Sequence, residues 1–294
     1  MENIFTNLKL SFSRGSILAK LIYINVGVFI LIRLWDLFLL LFNITGFSLF
    51  DYVNMPSSPG MLLHRPWTII TYMFTHADFL HILFNMLWLY WFGRIFLQFF
   101  HPRQLGGIYV LGGIAGGLLF MLAYNVLPYF SSMSAGSSLM GASASVMAVV
   151  FAVSFYRKDY YIALLFLGRI KLIYLALGVF VFDLLAITSD GNPGGHIAHI
   201  GGALLGIWFA SQISRGRDMT TAMNRAIDAF VNMWKRKPPR MRVTHKRRET
   251  RYEYNARRNT ANAEIDVILD KLKRSGYAGL SSEEKRKLFD ASKR

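Results

Sequence analysis

The 294-residue sequence contains no cysteine. Disulfides, thiolate-bound zinc, iron–sulfur clusters and a cysteine nucleophile are therefore excluded. Charge is also scarce: Asp, Glu, Lys and Arg make up 17% of the chain, against about 25% in an ordinary soluble domain. No His-Glu-x-x-His pattern occurs, which argues against a zincin-type protease. Aspartates in apolar stretches are few, and Asp183 has no acidic partner with which to form an aspartyl dyad. The five-residue step from His76 to His81 is not a usual ligand spacing on a helix. No metal and no cofactor are expected. After Lys9, Arg14 and Lys20 there is no small-x-small cleavage site, so the apolar run that follows reads as a retained signal anchor.

What is abundant points to lipid. The chain is 53% hydrophobic, with 24 Phe, 14 Tyr and 6 Trp and a mean hydropathy of +0.34. A membrane-spanning helix needs roughly 20 apolar residues. Six segments qualify: 21–44, 79–97, 105–126, a short one at 141–155, 172–187 and 197–213. In the first, Arg33 and Asp36 are spaced to pair on one helix face. The basic residues alternate between loops. The N-terminal segment, the 98–104 loop, the 156–171 loop and the tail carry most of them, whereas 127–140 and 188–195 carry none. By the positive-inside rule both termini are cytoplasmic. The long loop 45–78, with Pro56, Pro59, Pro66 and Trp67, reads as partly interfacial. Without a targeting peptide, a bacterial cytoplasmic membrane is expected.

From Arg215 on, hydropathy collapses and 22 of the 33 Lys and Arg appear. This divides the chain into a transmembrane domain (1–214), a basic cytoplasmic linker (215–262) and a small helical segment (263–294). Within the linker, 220–234 fits an amphipathic helix and 235–258 reads as disordered. Ser281 and Glu284 are spaced as a capping box. The basic tail suits anionic lipid headgroups, at roughly 1 kcal/mol per nearby Lys or Arg; no nucleic acid is expected.

The alternation aligns three helix entries at one depth on the outer side. The second segment brings His76, His81 and Asn85, the fourth Ser143 and Ser145, the sixth His196 and His199. Polar groups at membrane depth are costly and mark function. A serine with a histidine in reach fits acyl transfer, given donors for the oxyanion. His81, Asn85 and the backbone N–H of Ser143 at a helix start are suited to that. Gly202 and Gly206, in G-x-x-x-G spacing, let the sixth helix approach the small residues Gly141, Ala144, Ser145 and Ala148 of the fourth. No aspartate orients His199 in this reading, so a Ser–His dyad is expected.

The ordered set resembles the rhomboid family of intramembrane serine proteases. His81-Ile82-Leu83-Phe84-Asn85 is similar to its HxxxN, Gly141-Ala142-Ser143-Ala144 to its GxSx, and Ala198-His199-Ile200-Gly201-Gly202 with Gly206 to its AHxxGxxxG. The resemblance covers about residues 67–213. It implies a six-helix all-α bundle, to which the charge distribution adds a basic, partly helical cytoplasmic tail outside the family core. It also implies a Ser143 nucleophile, a His199 base, oxyanion donors His81 and Asn85, and Gly141 shaping the turn. Transmembrane proteins in the bilayer would be the substrates, cut near their outer membrane end. Met147 stands where the family often has an aromatic, and Arg65-Pro66-Trp67 departs from the family's Trp-Arg. Ser145 is expected on the packing face, and His196 at the solvent-facing mouth. Two rivals remain: an inactive rhomboid-like protein that binds membrane clients, and a channel or transporter using the histidines as a proton path. Substrate, cleavage site and oligomeric state are left open.

Overall fold

The computed structural model describes residues 15–134, 136–164, 168–188, 191–233 and 250–292. Among them four helices are long and apolar enough to cross a membrane: α1 (Ile17–Leu41), α2 (Phe79–Phe99), α3 (Pro102–Val126) and α6 (Pro193–Ser214). Two shorter apolar helices accompany them, α4 (Ser143–Tyr156) and α5 (Leu172–Ala186). The first helix starts four residues earlier than expected, because Ser16 accepts the Ala19 N–H and caps it there. Arg33 and Asp36 pair at 3.1 Å as their spacing predicts.

α4 is the axis of this unit. Every residue from Ala144 to Ser154 is buried, which is why its apolar residues show no preferred face. Gly202 and Gly206 of α6 lie against its backbone. A Cβ on Gly202 would run into the Ala144 carbonyl oxygen, and one on Gly206 into that of Ala148. α3 packs against both α4 and α6 through glycines that the sequence reading did not single out. Gly112 abuts Ala148 Cβ, and Gly116 abuts Ala144 Cβ and the Ala198 carbonyl. Such close approach gives dispersion contact where lipid offers no hydrophobic drive.

The chain is mostly helical, as the expected all-α class has it, with two short antiparallel strand pairs besides. β1 (Met55–Pro56) pairs antiparallel with β2 (Ser138–Leu139), and β3 (Tyr161–Leu164) with β4 (Gly168–Lys171). The 45–78 loop is not merely laid on the interface. It folds into short helical turns with Met55, Tyr72 and Met73 fully buried. Trp67 Nε1 donates to Tyr52 O at 2.8 Å, Arg65 stacks over the Tyr52 ring, and Thr71 Oγ1 donates to Val53 O at 2.6 Å. Tyr109 of α3 anchors the loop from below, donating to Met73 O and meeting the buried Asn25 of α1.

After α6, α7 (Thr220–Met233) packs on α3. Most of the segment expected to be disordered, 235–258, lies outside the described residues. Its end does not follow the expectation: α8 (Arg251–Ser275) begins inside the presumed linker, twelve residues before 263. Thr250 and Glu253 form a capping box that starts it. α9 (Ser282–Ser292) follows, and the predicted Ser281–Glu284 box is formed. Of the described residues, 250–292 belong to a compact unit separate from the one that holds 15–233.

Candidate active site

The turn before α4 is set by Gly141, whose φ of +116° is strained for any residue with a side chain. Its N–H donates to Tyr72 O at 2.9 Å. A Cβ at this position would lie 2.8 Å from His81 Nε2 and 3.6 Å from Ser143 Oγ. His81 and Ser143 thus flank the bare face of Gly141. Ser143 is the first residue of α4, with backbone N–H groups that have no acceptor within the helix.

α2 starts at Asp78, which caps it by accepting the His81 N–H at 2.9 Å. Ala77 N–H donates to His81 Nδ1 at 3.4 Å. A ring nitrogen that accepts carries no proton, so in the neutral ring Nε2 is the donor. His81 therefore presents an N–H towards Gly141 and Ser143. One turn on, buried Asn85 donates Nδ2 to His81 O at 2.9 Å, which uses one of its two amide hydrogens. His76 stacks edge-on at 5.0 Å from His81 and accepts the Ala142 N–H at 3.5 Å. It supports the turn from beneath.

Asn192 opens α6 by accepting the Gly195 N–H. Three residues apart on this helix, His196 and His199 both turn Nδ1 to a single atom, Asp183 Oδ1 of α5, at 2.7 and 2.8 Å. The expectation that no aspartate orients His199 is overturned. The expected solvent-facing His196 is corrected too: only 6% of it is exposed. An ionised carboxylate only accepts, so both Nδ1 atoms carry protons and His199 Nε2 keeps its lone pair. The one sign of this in the sequence was an aspartate in an apolar helix, where such a group has a partner by default.

The ligand atoms of Asp183, His196 and His199 lie within 4.8 Å of one another, close enough to suggest a metal donor set. The spacing says otherwise. Bonds of about 2.0–2.1 Å to a tetrahedral zinc would hold neighbouring ligand atoms about 3.3 Å apart. Contacts of 2.7 and 2.8 Å are those of N–H···O bonds.

Ser145 is fully buried, with Oγ 3.8 Å from Met73 Sδ and facing Gly113 of α3. It packs α4 against α3, not against α6 as expected. Met147 is buried. Among the described residues no hydrogen bond joins Ser143 Oγ to His199, although His199 lies within electrostatic reach of His81. Unliganded sites often close that bond only around substrate.

Comparison with known proteins matches two stretches of the chain. The Rhomboid domain family matches residues 63–216, and a family of unknown function matches residues 252–294. RHOMBOID-like protein 12, mitochondrial, of Arabidopsis thaliana is 27% identical over 70% of this chain and 60% of its own length. Rhomboid-related protein 1 of Caenorhabditis elegans is 31% identical over 52% of this chain and 43% of its own. Inactive RHOMBOID-like protein 8 of Arabidopsis thaliana is 34% identical over 29% of this chain and 24% of its own. The chain therefore spans at most 60% of these curated relatives.

Proposed function

The chain belongs to the rhomboid family of membrane proteins, and from that membership we propose that it is an intramembrane serine endopeptidase acting through Ser143 and His199. The observation that carries the reading is the shared space over Gly141, flanked by His81 Nε2 and Ser143 Oγ at the start of α4. Ser143 attacks the scissile carbonyl, and His199 Nε2 takes the hydroxyl proton and returns it to the leaving amine. His81 Nε2–H, the remaining Asn85 amide hydrogen and the α4 N-terminal N–H groups hold the oxyanion. Water then releases the acyl-enzyme.

All six apolar helices cross the bilayer in this reading, with both termini cytoplasmic on the strength of the loop charges. At 1.5 Å per residue the 14-residue α4 spans about 21 Å of a core about 30 Å thick. Its serine end therefore lies several ångström below the outer surface, in protein rather than lipid. A substrate helix must unwind there to expose a carbonyl, which favours membrane-anchored substrates with small or helix-breaking residues near that end. The basic tail faces anionic headgroups. The relatives come from a plant and a nematode, so they lend nothing to a bacterial membrane.

A second reading, a client-binding protein without catalysis, is favoured by the relative named inactive. Against it stands the retention here of Ser143, His199, His81 and Asn85 together. Reconstituted protein is expected to cleave a model transmembrane substrate and to label with a fluorophosphonate, and Ser143→Ala to lose both. Full cleavage by Ser143→Ala would overturn the protease reading.

A further inference from the structure

We propose that Asp183 is the positioning residue of this site: its Oδ1 holds His199 in the Nδ1–H tautomer, so that Nε2 stays free to act as base. The inference rests on the protease reading above. Its observations are independent of the motifs that led there, because Asp183 belongs to none of them.

Asp183 is 2% exposed, in the middle of an otherwise apolar α5. A carboxylate there is costly unless it is hydrogen-bonded. It is bonded through one oxygen alone. Oδ1 takes both imidazole N–H groups, while among the described residues buried Oδ2 has no partner. Two donors converging on one oxygen clamp the ring plane of His199 against that of His196, 5.8 Å away and nearly perpendicular. α6 cannot rotate about its axis without breaking both bonds.

The clamp has a consequence for the reaction. When His199 takes the Ser143 proton it becomes an imidazolium at Nδ1–H and Nε2–H. The nearest carboxylate then faces a full positive charge at 2.8 Å. That attraction is stronger in the transition state than in the resting neutral ring, which is the condition for lowering a barrier. His196 shares the same oxygen and supplies a second N–H throughout, so the carboxylate keeps that bond as the His199 ring shifts to meet substrate.

The test uses the full chain in bilayers, comparing wild type, Asp183→Asn, Asp183→Glu and Ser143→Ala. Read-outs are kcat and KM on a model transmembrane substrate, fluorophosphonate labelling, thermal stability, and 15N NMR of the His199 ring. Asp183→Asn is expected to lower kcat by about tenfold or more with KM little changed, since the corresponding change in a Ser-His-Asp enzyme costs about 10⁴ through the wrong tautomer. The His199 ring should lose its exclusive Nδ1–H form, and Asp183→Glu should restore part of kcat and tautomer. Wild-type kcat in Asp183→Asn with an unchanged His199 tautomer would overturn the proposal. If Asp183→Asn fails to fold, the same comparison is made with Asp183→Ser, which also lacks a carboxylate: lowered kcat with loss of the exclusive Nδ1–H form supports the clamp, and wild-type kcat with an unchanged tautomer overturns it. If wild type neither cleaves nor labels, the protease reading fails by itself. The NMR comparison then still decides whether Asp183 sets the tautomer: loss of the Nδ1–H form in the variant supports it, and retention refutes it.

Discussion

The α4–α6 contact and the α8–α9 pair hold helices together by opposite means. In the first, backbone meets backbone: Gly202 and Gly206 let α6 lie on the carbonyls of Ala144 and Ala148. No charged side chain takes part, and α4 is buried from Ala144 to Ser154. In the second, Ile268 and Leu280 are the buried apolar residues, and ion pairs at 2.9 Å join Lys271 to Glu284 and Lys287 to Glu264. The first contact is dense and intolerant of volume. The second is thin, exposed and tuned by charge.

Breaking the comparison at its dense end gives the largest effect. Gly202→Val places a side chain where the Ala144 carbonyl oxygen already lies. Overpacking of a close contact costs about 1–3 kcal/mol when neighbours can shift, and more when the obstacle is backbone. Loss of a resolved thermal transition, with loss of fluorophosphonate labelling, is the expected outcome; a variant as stable as wild type would show that the glycines are not what joins the helices. Gly141→Ala is expected next. It adds a Cβ 2.8 Å from His81 Nε2 on a backbone with φ +116°. On the protease reading, displacing one oxyanion donor lowers the labelling rate by about 10²-fold, with a stability loss of about 1–3 kcal/mol. An unchanged rate would remove His81 from the oxyanion site.

Much of the dense region was legible because its signals are local. Four-residue spacing put His81 and Asn85 on one face, G-x-x-x-G marked the packing side of α6, and three-residue spacing announced the Arg33–Asp36 pair. What stayed hidden was what only packing creates. Asp183 reaches His199 across 16 residues and a loop, and Met55 pairs with Leu139 across 84 residues with no periodicity to betray it. Ser145 was assigned to the right kind of face but the wrong neighbour, because small residues line α4 towards both α3 and α6. In the thin region the miss was of another kind. Thr250 and Glu253 stood in capping-box spacing, yet the first turns of α8 carry so few apolar residues that hydropathy read them as linker.

That cap offers a smaller test of the thin end. Thr250→Ala removes the acceptor for the Glu253 N–H at 3.3 Å. A lost cap costs about 0.5–2 kcal/mol, so hydrogen exchange in the first turns of α8 should quicken while α4 and α6 keep their protection. Quickening in α4 would mean that the two regions are not independent.

The smallest effect expected is a response to acid. The Lys271 ammonium, hydrogen-bonded to Glu284, holds that carboxyl below the ordinary glutamate range, helped by the Ser281 N–H. A carboxyl depressed in the folded state binds a proton more readily when unfolded. Its contribution is therefore fully present above the ordinary glutamate range and is lost as pH falls through the lower folded value. The group is exposed, so screening keeps the effect slight. Amide protection in α9 should decline over that acidic interval, and Lys271→Met should flatten the decline, since it removes the largest cause of the depression. α4, packed on glycine and backbone with no carboxylate against it among the described residues, should hold its protection over the same interval. An equal decline in both regions would show that charge, not close packing, governs the membrane contact as well.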